Sequence, residues 1–309
     1  MPSYVATQSI EIEKAADKVL EFLSDFSTWP DWSPWLRLEP ECEVTLTQPQ
    51  KVEGAMYRWN GDLVGAGSVM LEERLADGLK LKLFFKEPYR SMACASFKVK
   101  DTRRGCRVEW EMRGHVPWYL FFLKRFFKAM VEMDFERGLR MLKSVLETGE
   151  IPSDLKFIGE RPFAQTHYIG IHGGSTLAGI GPAMQGQITR LLEYVDLEQV
   201  PVNGELFCLY ENMKMEDGFF DYVVCLPVSE PIVVSGELVC GTLPACDSYV
   251  VEHTGAYAFL GNAWAFIMLH IRHKKIKTKQ KPLGLERYLN SPCDVSEAEL
   301  KTEVVVFKR

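Results

Sequence analysis

The chain has 309 residues, 47% of them hydrophobic and 25% charged, a mixture typical of a globular protein with about two domains. The formal net charge of −6 argues against broad nucleic-acid binding, which usually needs a basic face, and leaves room only for a local basic patch. The eight cysteines form no CxxC pair and no Cys/His cluster with metal-ligand spacing, so we expect reduced cysteines, no metal and no cofactor.

Two features of the sequence predict a cytoplasmic protein without a membrane partner. The N-terminal residues lack the charged segment and apolar core that a signal peptide would show. The longest apolar run, Val116–Leu123, is followed at once by Lys124 and Arg125 and is too short to span a bilayer.

The first half begins with an alternating strand at Tyr4–Ile12 and a short amphipathic helix at Ala15–Leu23. Six strand-like runs follow, at Cys42–Leu46, Ala55–Trp59, Gly67–Arg74, Leu79–Phe85, Met92–Lys100 and Cys106–Arg113. The half closes with a predicted helix of about thirty residues, Pro117–Glu147, whose apolar positions, including Leu123 and Phe127, keep mostly to one face. This order predicts an α+β helix-grip fold, in which an antiparallel sheet curves around one long helix.

A group of aromatic residues in the first half is the candidate lining of an internal cavity. Its members are Trp29, Trp32, Trp35, Tyr57 and Trp59. The alternative is that they are simple core or rim aromatics, because large rings are also the usual filling of a core.

The chain is expected to divide near residues 150–156, where a proline and small polar residues follow the long helix. We therefore predict two domains, at residues 1–150 and 154–309.

The second half repeats one order of elements: a strand, a helix and two strands. The first copy is predicted at Phe163–Ile171, Leu177–Tyr194, Leu206–Tyr210 and Tyr222–Val228. The second copy is predicted at Asp247–His253, Ala258–His273, Leu285–Leu289 and Glu303–Phe307. Two such βαββ modules are expected to join into one sheet with both helices on the same face, and the crevice between the modules is the natural ligand site.

Four segments of the first half resemble the SRPBCC family (START-like, polyketide-cyclase type). They are ATQSIEIEKAADKVLEFLSD, WPDWSPW, WNGDLVGAGSVMLEE and DFERGLRMLKSVLE. The resemblance covers residues 1–150 and implies a cupped sheet and a long C-terminal helix over a hydrophobic cavity. Members of the family bind lipids, sterols and polyketide-like molecules or act on them, without a universal catalytic motif.

The second half, residues 154–309, resembles the GyrI-like effector-binding domain, which is also found in AraC-type and MerR-type regulators. The segments that carry the resemblance are VVEHTGAYAFLGNAWAFI, LERYLNSP, SEAELKTEVVVFKR, IGIHGGST and LFCLYENMKMEDGFFDYVVCLPV. It implies binding of bulky aromatic and often cationic compounds, and a few relatives hydrolyse strained natural products in the same crevice. Phe307 and Val305 replace the proline and tyrosine that the family usually has in its last strand, a departure that bears on ligand specificity and not on the fold.

A buried carboxylate beside aromatic rings is a suitable receptor for a flat organic cation, because the rings attract the charge and the carboxylate balances it. Glu286 and Glu303 are the candidate carboxylates, and Glu286 shares a strand face with Tyr288, two residues away. The other predicted ligand-binding residues are Tyr168, Tyr210, Tyr257 and Trp264. The alternative is that either glutamate is a solvated strand-end carboxylate and that the aromatic residues belong to the core or its rim.

Three classes of function follow from these residues. The first is a binding or sensor protein for hydrophobic or aromatic compounds, cationic ones included, with no direct nucleic-acid contact because no helix-turn-helix pattern precedes either domain. The second is a hydrolase that detoxifies reactive aromatic natural products with Glu286 as a candidate catalytic acid or base. The third is an interaction protein whose C-terminal surface contacts a protein partner.

Overall fold

The computed structural model describes residues 3–87 and 89–309, which form two compact units dividing between Ile151 and Pro152. Each unit contains one antiparallel sheet with helices packed on it. The α+β architecture with a helix-grip domain followed by a duplicated sheet domain is confirmed.

The N-terminal domain is built on a sheet of seven strands. The strands are β1 (Ser3–Ile12), β2 (Glu43–Leu46), β3 (Met56–Asn60), β4 (Ala66–Leu75), β5 (Gly78–Phe85), β6 (Ser91–Thr102) and β7 (Gly105–His115), in the order β1-β7-β6-β5-β4-β3-β2. The helices are α1 (Ala16–Ser24), α2 (Trp29–Trp32) and α3 (Lys124–Thr148). All seven predicted strand segments match strands of this sheet to within one or two residues at most ends.

Alternation along the strands decides which side chains form the core. In β7, Val108, Trp110 and Met112 are buried and the residues between them are partly or fully exposed. Trp110 stacks on Phe135 of α3 with ring centroids 3.9 Å apart and planes 9° apart. This stack holds α3 against the sheet. A stacked aromatic pair stabilises such a contact by more than the burial of its surface alone.

The long helix is shorter than predicted. Residues Trp118–Leu123 form a 3-10 turn in which Leu120 has non-helical dihedral angles (φ −108°, ψ 16°), and α3 begins only at Lys124. The apolar positions Leu123 and Phe127 are only partly buried, whereas the fully buried face of α3 starts at Phe135. The helical pattern in the sequence continues toward the N-terminus beyond the residues that pack on the sheet. The predicted helix is therefore longer than the helix in the structure.

The C-terminal domain is built on a sheet of eight strands. They are β8 (Ser153–Phe163), β9 (Thr166–Thr176), β10 (Phe207–Lys214), β11 (Phe219–Val228), β12 (Leu238–Leu243), β13 (Cys246–Gly255), β14 (Gly284–Tyr288) and β15 (Lys301–Phe307). Their order is β12-β9-β11-β10-β14-β15-β13-β8, and the helices are α4 (Ile180–Leu197) and α5 (Gly261–His273). The strand order is symmetric about the β10–β14 pair, as expected of a duplicated module.

Two strands were not predicted. β8 and β12 precede the two modules, and each pairs with the first strand of the other module, β8 with β13 and β12 with β9. The predicted strand Phe163–Ile171 is in fact the end of β8 and the first half of β9, separated at residues 164–165. Both added strands lie at sheet edges, where one side faces solvent and the hydrophobic signal is weak.

The two faces of this sheet have different cores. One face packs against α5 through a cluster that includes Val251, Val304 and Ile267. The opposite face carries a second cluster that includes Leu209, Val305 and other residues of neighbouring strands. We call these the helix face and the open face, and the predicted site residues divide between them.

Candidate ligand-binding site

Glu286 lies near the middle of the eight-stranded sheet, on β14. It is opposite Cys208 of β10 on one side and Val304 of β15 on the other, and so points to the helix face. The side chain is 5% exposed. A carboxyl group is seldom buried to this extent unless specific partners hold it.

Three neutral donors hold the Glu286 carboxylate. The Tyr210 and Tyr288 hydroxyls donate to Oε2 at 3.0 and 2.8 Å, and the Trp264 indole Nε1 donates to Oε1 at 2.6 Å. Trp264 comes from α5, and Tyr210 and Tyr288 come from the two central strands, β10 and β14. Four of the sequence-predicted site residues are therefore in direct contact.

Burial and hydrogen bonding act in opposite directions on the pKa of Glu286. Burial raises the pKa of the carboxyl group, while the bonds from Trp264, Tyr288 and Tyr210 lower it, and the net result is a raised pKa. Burial together with the nearby carboxylate also raises the pKa of the Tyr210 and Tyr288 hydroxyls well above the usual value, so both stay protonated as donors.

The rim of this site consists of residues from the helix side of the domain. The Tyr257 ring lies edge-on to the Tyr288 ring with centroids 5.5 Å apart, and 38% of Tyr257 is exposed. Met184 of α4 places its sulfur 3.3 Å from the Tyr288 hydroxyl. Both α4 and α5 thus reach the same cluster, which confirms that they lie on one face of the sheet. Met184 is a site residue that the sequence analysis missed, since an isolated methionine in a glycine-rich segment carries no specific signal.

Glu303 is buried, but it does not join Glu286. It is opposite Arg287, whereas its neighbour Val304 is opposite Glu286, so Glu303 points to the open face. Arg161 of β8 binds it with two bonds of 2.8 and 2.6 Å, and Arg287 adds a contact of 3.2 Å. The prediction that Glu303 shares the crevice with Glu286 is wrong. Successive residues of a strand point to opposite faces, and the register places Glu303 on the open face, where it is part of an ion-pair network.

Tyr168 also lies on the open face. It packs against the cluster of that face and lines an open cavity of about 820 Å³. The polar residues that line this cavity are His172, Glu211, Asn212, Asp221 and Lys281. The expectation that Tyr168 contributes to the Glu286 site is therefore also wrong, for the same reason of strand parity.

Four of the five aromatic residues of the N-terminal domain are linked by direct ring contacts, and Trp35 joins them through Trp110, which also contacts Trp32. Ring centroids are 5.5 Å apart for Trp29–Trp32, 6.0 Å for Trp29–Tyr57 and 6.1 Å for Tyr57–Trp59, while Trp35 contacts Trp110 at 5.9 Å. Trp29, Trp32 and Tyr57 are buried, and Trp35 and Trp59 are partly buried. The Trp32 indole nitrogen and the Tyr57 hydroxyl are buried without a hydrogen-bond partner among the described residues.

The two folds define the class of this protein: a helix-grip domain followed by a duplicated sheet domain with a buried carboxylate. Residues 4–147 match the family described as polyketide cyclase / dehydrase and lipid transport. Residues 161–306 match the family described as GyrI-like small molecule binding domain. The two halves of the chain therefore match an SRPBCC-type family model and a GyrI-like family model, in the predicted order.

Solved structures similar to this chain include two of EcmrR and one of CalU16 from Micromonospora echinospora. The EcmrR–DNA complex is 15% identical, with 62% of this chain and 73% of that chain covered and a TM-score of 0.44. The EcmrR C-terminal domain is 15% identical, covering 52% and 99%, with a TM-score of 0.42. CalU16 is 13% identical, covering 48% and 77%, with a TM-score of 0.33. A search of curated proteins gave no significant match.

Proposed function

We propose that this protein binds small molecules and that its GyrI-like domain is a receptor, or sensor, for a planar aromatic cation held at Glu286. One observation carries the proposal. The Glu286 carboxylate is buried among three neutral donors, and within residues 3–87 and 89–309 no lysine, arginine or histidine forms an ion pair with it.

The charge of this carboxylate favours a cationic ligand. A buried ion is costly when no opposite charge accompanies it, and the raised pKa of Glu286 reflects that cost. A ligand cation would balance the charge, and the rings of Trp264, Tyr210 and Tyr257 would attract it through their faces. Glu303 provides the contrast, since two arginines already neutralise it.

Helix α4 covers the site on the side of Met184. Only Gln187 and Leu191 of its 18 residues are buried, and its first seven residues include two glycines and a proline. Glycine and proline weaken helices, and few buried contacts hold this one in place. We propose that a ligand reaches Glu286 when the start of α4 moves away.

For the N-terminal domain, we propose a pocket for an apolar molecule beside Trp32 and Tyr57. The support is that two polar atoms of these side chains are buried in an aromatic cluster without a partner among the described residues. Buried donors of this kind are normally satisfied, and a polar group on a mostly apolar ligand would satisfy either of them.

The test of the cation site is a comparison of two ligands and two variants. Ethidium, a planar cation, should bind the full-length protein and raise its melting temperature, whereas the neutral ring phenanthridine should bind much more weakly at pH 7.5. Glu286→Gln should lose about 2–3 kcal/mol of binding free energy, roughly a hundredfold in Kd. Glu303→Gln is the matched control and should keep the affinity. Equal binding of both ligands, or full affinity in Glu286→Gln, would refute the proposal.

A second function, hydrolysis of a strained electrophile, is favoured by the raised pKa of Glu286 and by the hydroxyl that Tyr288 directs at it. A carboxyl group with a raised pKa holds a proton more readily than an ordinary glutamate and can act as a general acid or base. Turnover of an epoxide- or cyclopropane-containing aromatic compound that disappears in Glu286→Gln while binding persists would establish the enzyme. Binding without turnover across such compounds would establish the sensor.

A further inference from the structure

Four large aromatic side chains are exposed where the sheet of the N-terminal domain connects to α3. Trp118, Tyr119, Phe121 and Phe122 are 75%, 59%, 64% and 61% exposed. None of the six residues of the Trp118–Leu123 turn is buried. Scattered exposed apolar residues are normal in a soluble protein, but four in five consecutive positions form a patch that needs a partner.

A second loop brings two more exposed apolar residues to the same end of the sheet. β6 and β7 are antiparallel, so the start of β6 and the residues after β7 lie at one end. Met92, at the start of β6, is 67% exposed, and Tyr89 just before it is 56% exposed. Tyr89 also lies close enough to Tyr4 to raise the pKa of its hydroxyl, and Tyr4 is opposite Gly114 near the end of β7. We call these six exposed residues of the two loops the aromatic end.

The charge next to the aromatic end is mainly positive, although Glu87 precedes Tyr89 and Glu132 pairs with Lys128 at 3.1 Å. Residues 115–131 contain Lys124, Arg125 and Lys128 and no aspartate or glutamate, although the whole chain has a net charge of −6. Lys124, Arg125 and Lys128 are exposed at the start of α3, directly after the aromatic turn. The surface therefore combines a cluster of aromatic residues with adjacent cations.

We propose that the aromatic end docks the protein onto an anionic lipid surface. Tryptophan and tyrosine prefer the headgroup region of a bilayer, where the ring is in an apolar layer and the polar tip meets water. Phenylalanine adds buried apolar area, and nearby lysine and arginine are attracted to anionic headgroups. None of the described helices could span a bilayer. This proposal replaces the expectation of no membrane partner.

The charge near the aromatic end favours an anionic lipid surface, rather than a second copy of the chain, as its binding partner. Two identical aromatic ends facing each other would bring the excess positive charge of both copies together, which disfavours that contact. An anionic bilayer supplies both an apolar layer for the rings and the opposite charge for the lysines and arginine.

The experiment is sedimentation of the full-length protein with lipid vesicles. Phosphatidylcholine vesicles with about one third phosphatidylglycerol should bind at least about tenfold more protein than phosphatidylcholine alone at low salt. Raising the salt to roughly 0.5 M should remove most of this difference, because it screens the charges.

Trp118→Ser/Phe121→Ser/Phe122→Ser should lose binding to all vesicles, and Lys124→Glu/Arg125→Glu should lose the preference for anionic lipid. All five substitutions lie at exposed positions, so circular dichroism and melting should stay close to the parent protein.

Two controls match these variants in chemistry but lie outside the aromatic end. Leu197→Ser/Val233→Ser removes exposed apolar residues, which are 79% and 96% exposed, and should bind vesicles normally. Lys274→Glu/Lys275→Glu reverses two exposed lysines of another basic run and should also bind normally. No binding to anionic vesicles at low salt overturns the proposal. So does sedimentation of the parent protein as a dimer that the serine triple variant converts to a monomer without any vesicle binding.

Discussion

The side chains of Glu286 and Glu303 leave opposite faces of one sheet, and they are stabilised in different ways. The register places Glu303 opposite Arg287 and Val304 opposite Glu286, so one residue of offset separates the two faces. Glu303 is held by two arginines, and Glu286 is held by two tyrosines and a tryptophan. One glutamate therefore has its charge balanced within the protein, and the other is held by neutral hydrogen-bond donors alone among the described residues.

The first prediction follows from this difference in pairing. Glu303→Gln should lower the free energy of unfolding by about 2 kcal/mol at pH 7, below the ~3–5 kcal/mol seen for fully buried pairs, because Arg161 and Arg287 remain partly hydrated. Glu286→Gln should change stability much less, since no cation loses its partner and the amide still accepts hydrogen bonds. Urea denaturation of both variants checks this. Equal losses would show that the two glutamates have the same structural role.

The second prediction concerns the pH dependence of cation binding. The pKa of Glu286 is raised by burial, and only the ionised carboxylate attracts a cation. Affinity for ethidium should therefore be full above the raised pKa and fall up to about tenfold per pH unit below it. Calorimetry in buffers of different ionisation enthalpy should detect proton release on binding near that pKa. In Glu286→Gln the residual affinity should be independent of pH, and a pH slope that persists in this variant would assign the effect to another group.

How much of the site is predictable from sequence depends on strand parity and register. Glu286 and Tyr288 lie two apart in one strand, so their common face followed from alternation alone. The faces of Glu303 and Tyr168 depend on the register across several strand pairs, which no local pattern encodes. Arg161, the partner of Glu303, lies on edge strand β8, whose residues are largely exposed and lack an alternating apolar signal. The residues of the Trp118–Leu123 turn fit a helical pattern. The pattern does not show that none of these side chains is buried in the folded domain.

The third prediction concerns His253, which is fully buried on β13 and bonded through Nε2 to the Ser153 hydroxyl at 3.0 Å. Burial lowers its pKa from 6.5 to about 4, so the folded protein keeps it neutral while the unfolded chain takes up a proton below pH 6.5. Stability should therefore be complete above pH 6.5 and fall by about 3 kcal/mol between pH 6.5 and 4 from this residue.

Urea denaturation across this pH range measures the loss. His253→Gln, which cannot take up a proton, should have a flatter profile even if it is less stable at pH 7. The exposed His273→Gln is the control and should keep the profile of the parent protein. A parent-like pH slope in His253→Gln would mean that carboxylates, and not this histidine, produce the acid sensitivity.

The last prediction tests whether α4 must move before a ligand reaches Glu286. Gly181 and Gly186 lie in α4, and a Cβ atom added at either position would meet no atom within 4 Å. Alanine at each position should therefore stabilise the helix by about 0.5–1 kcal/mol without a steric cost. If binding requires an open form, stabilising the closed helix lowers the population of that form. The double variant should then bind ethidium roughly five- to thirtyfold more weakly, and the change should appear in the association rate.

Thr189→Gly, at an exposed position of the same helix, should weaken α4 and shift the association rate in the opposite direction. Stopped-flow measurements give the association rates. If these rates are unchanged in all the variants while the melting temperatures shift as expected, the ligand enters past Tyr257 on the side of α5, and α4 does not move during binding.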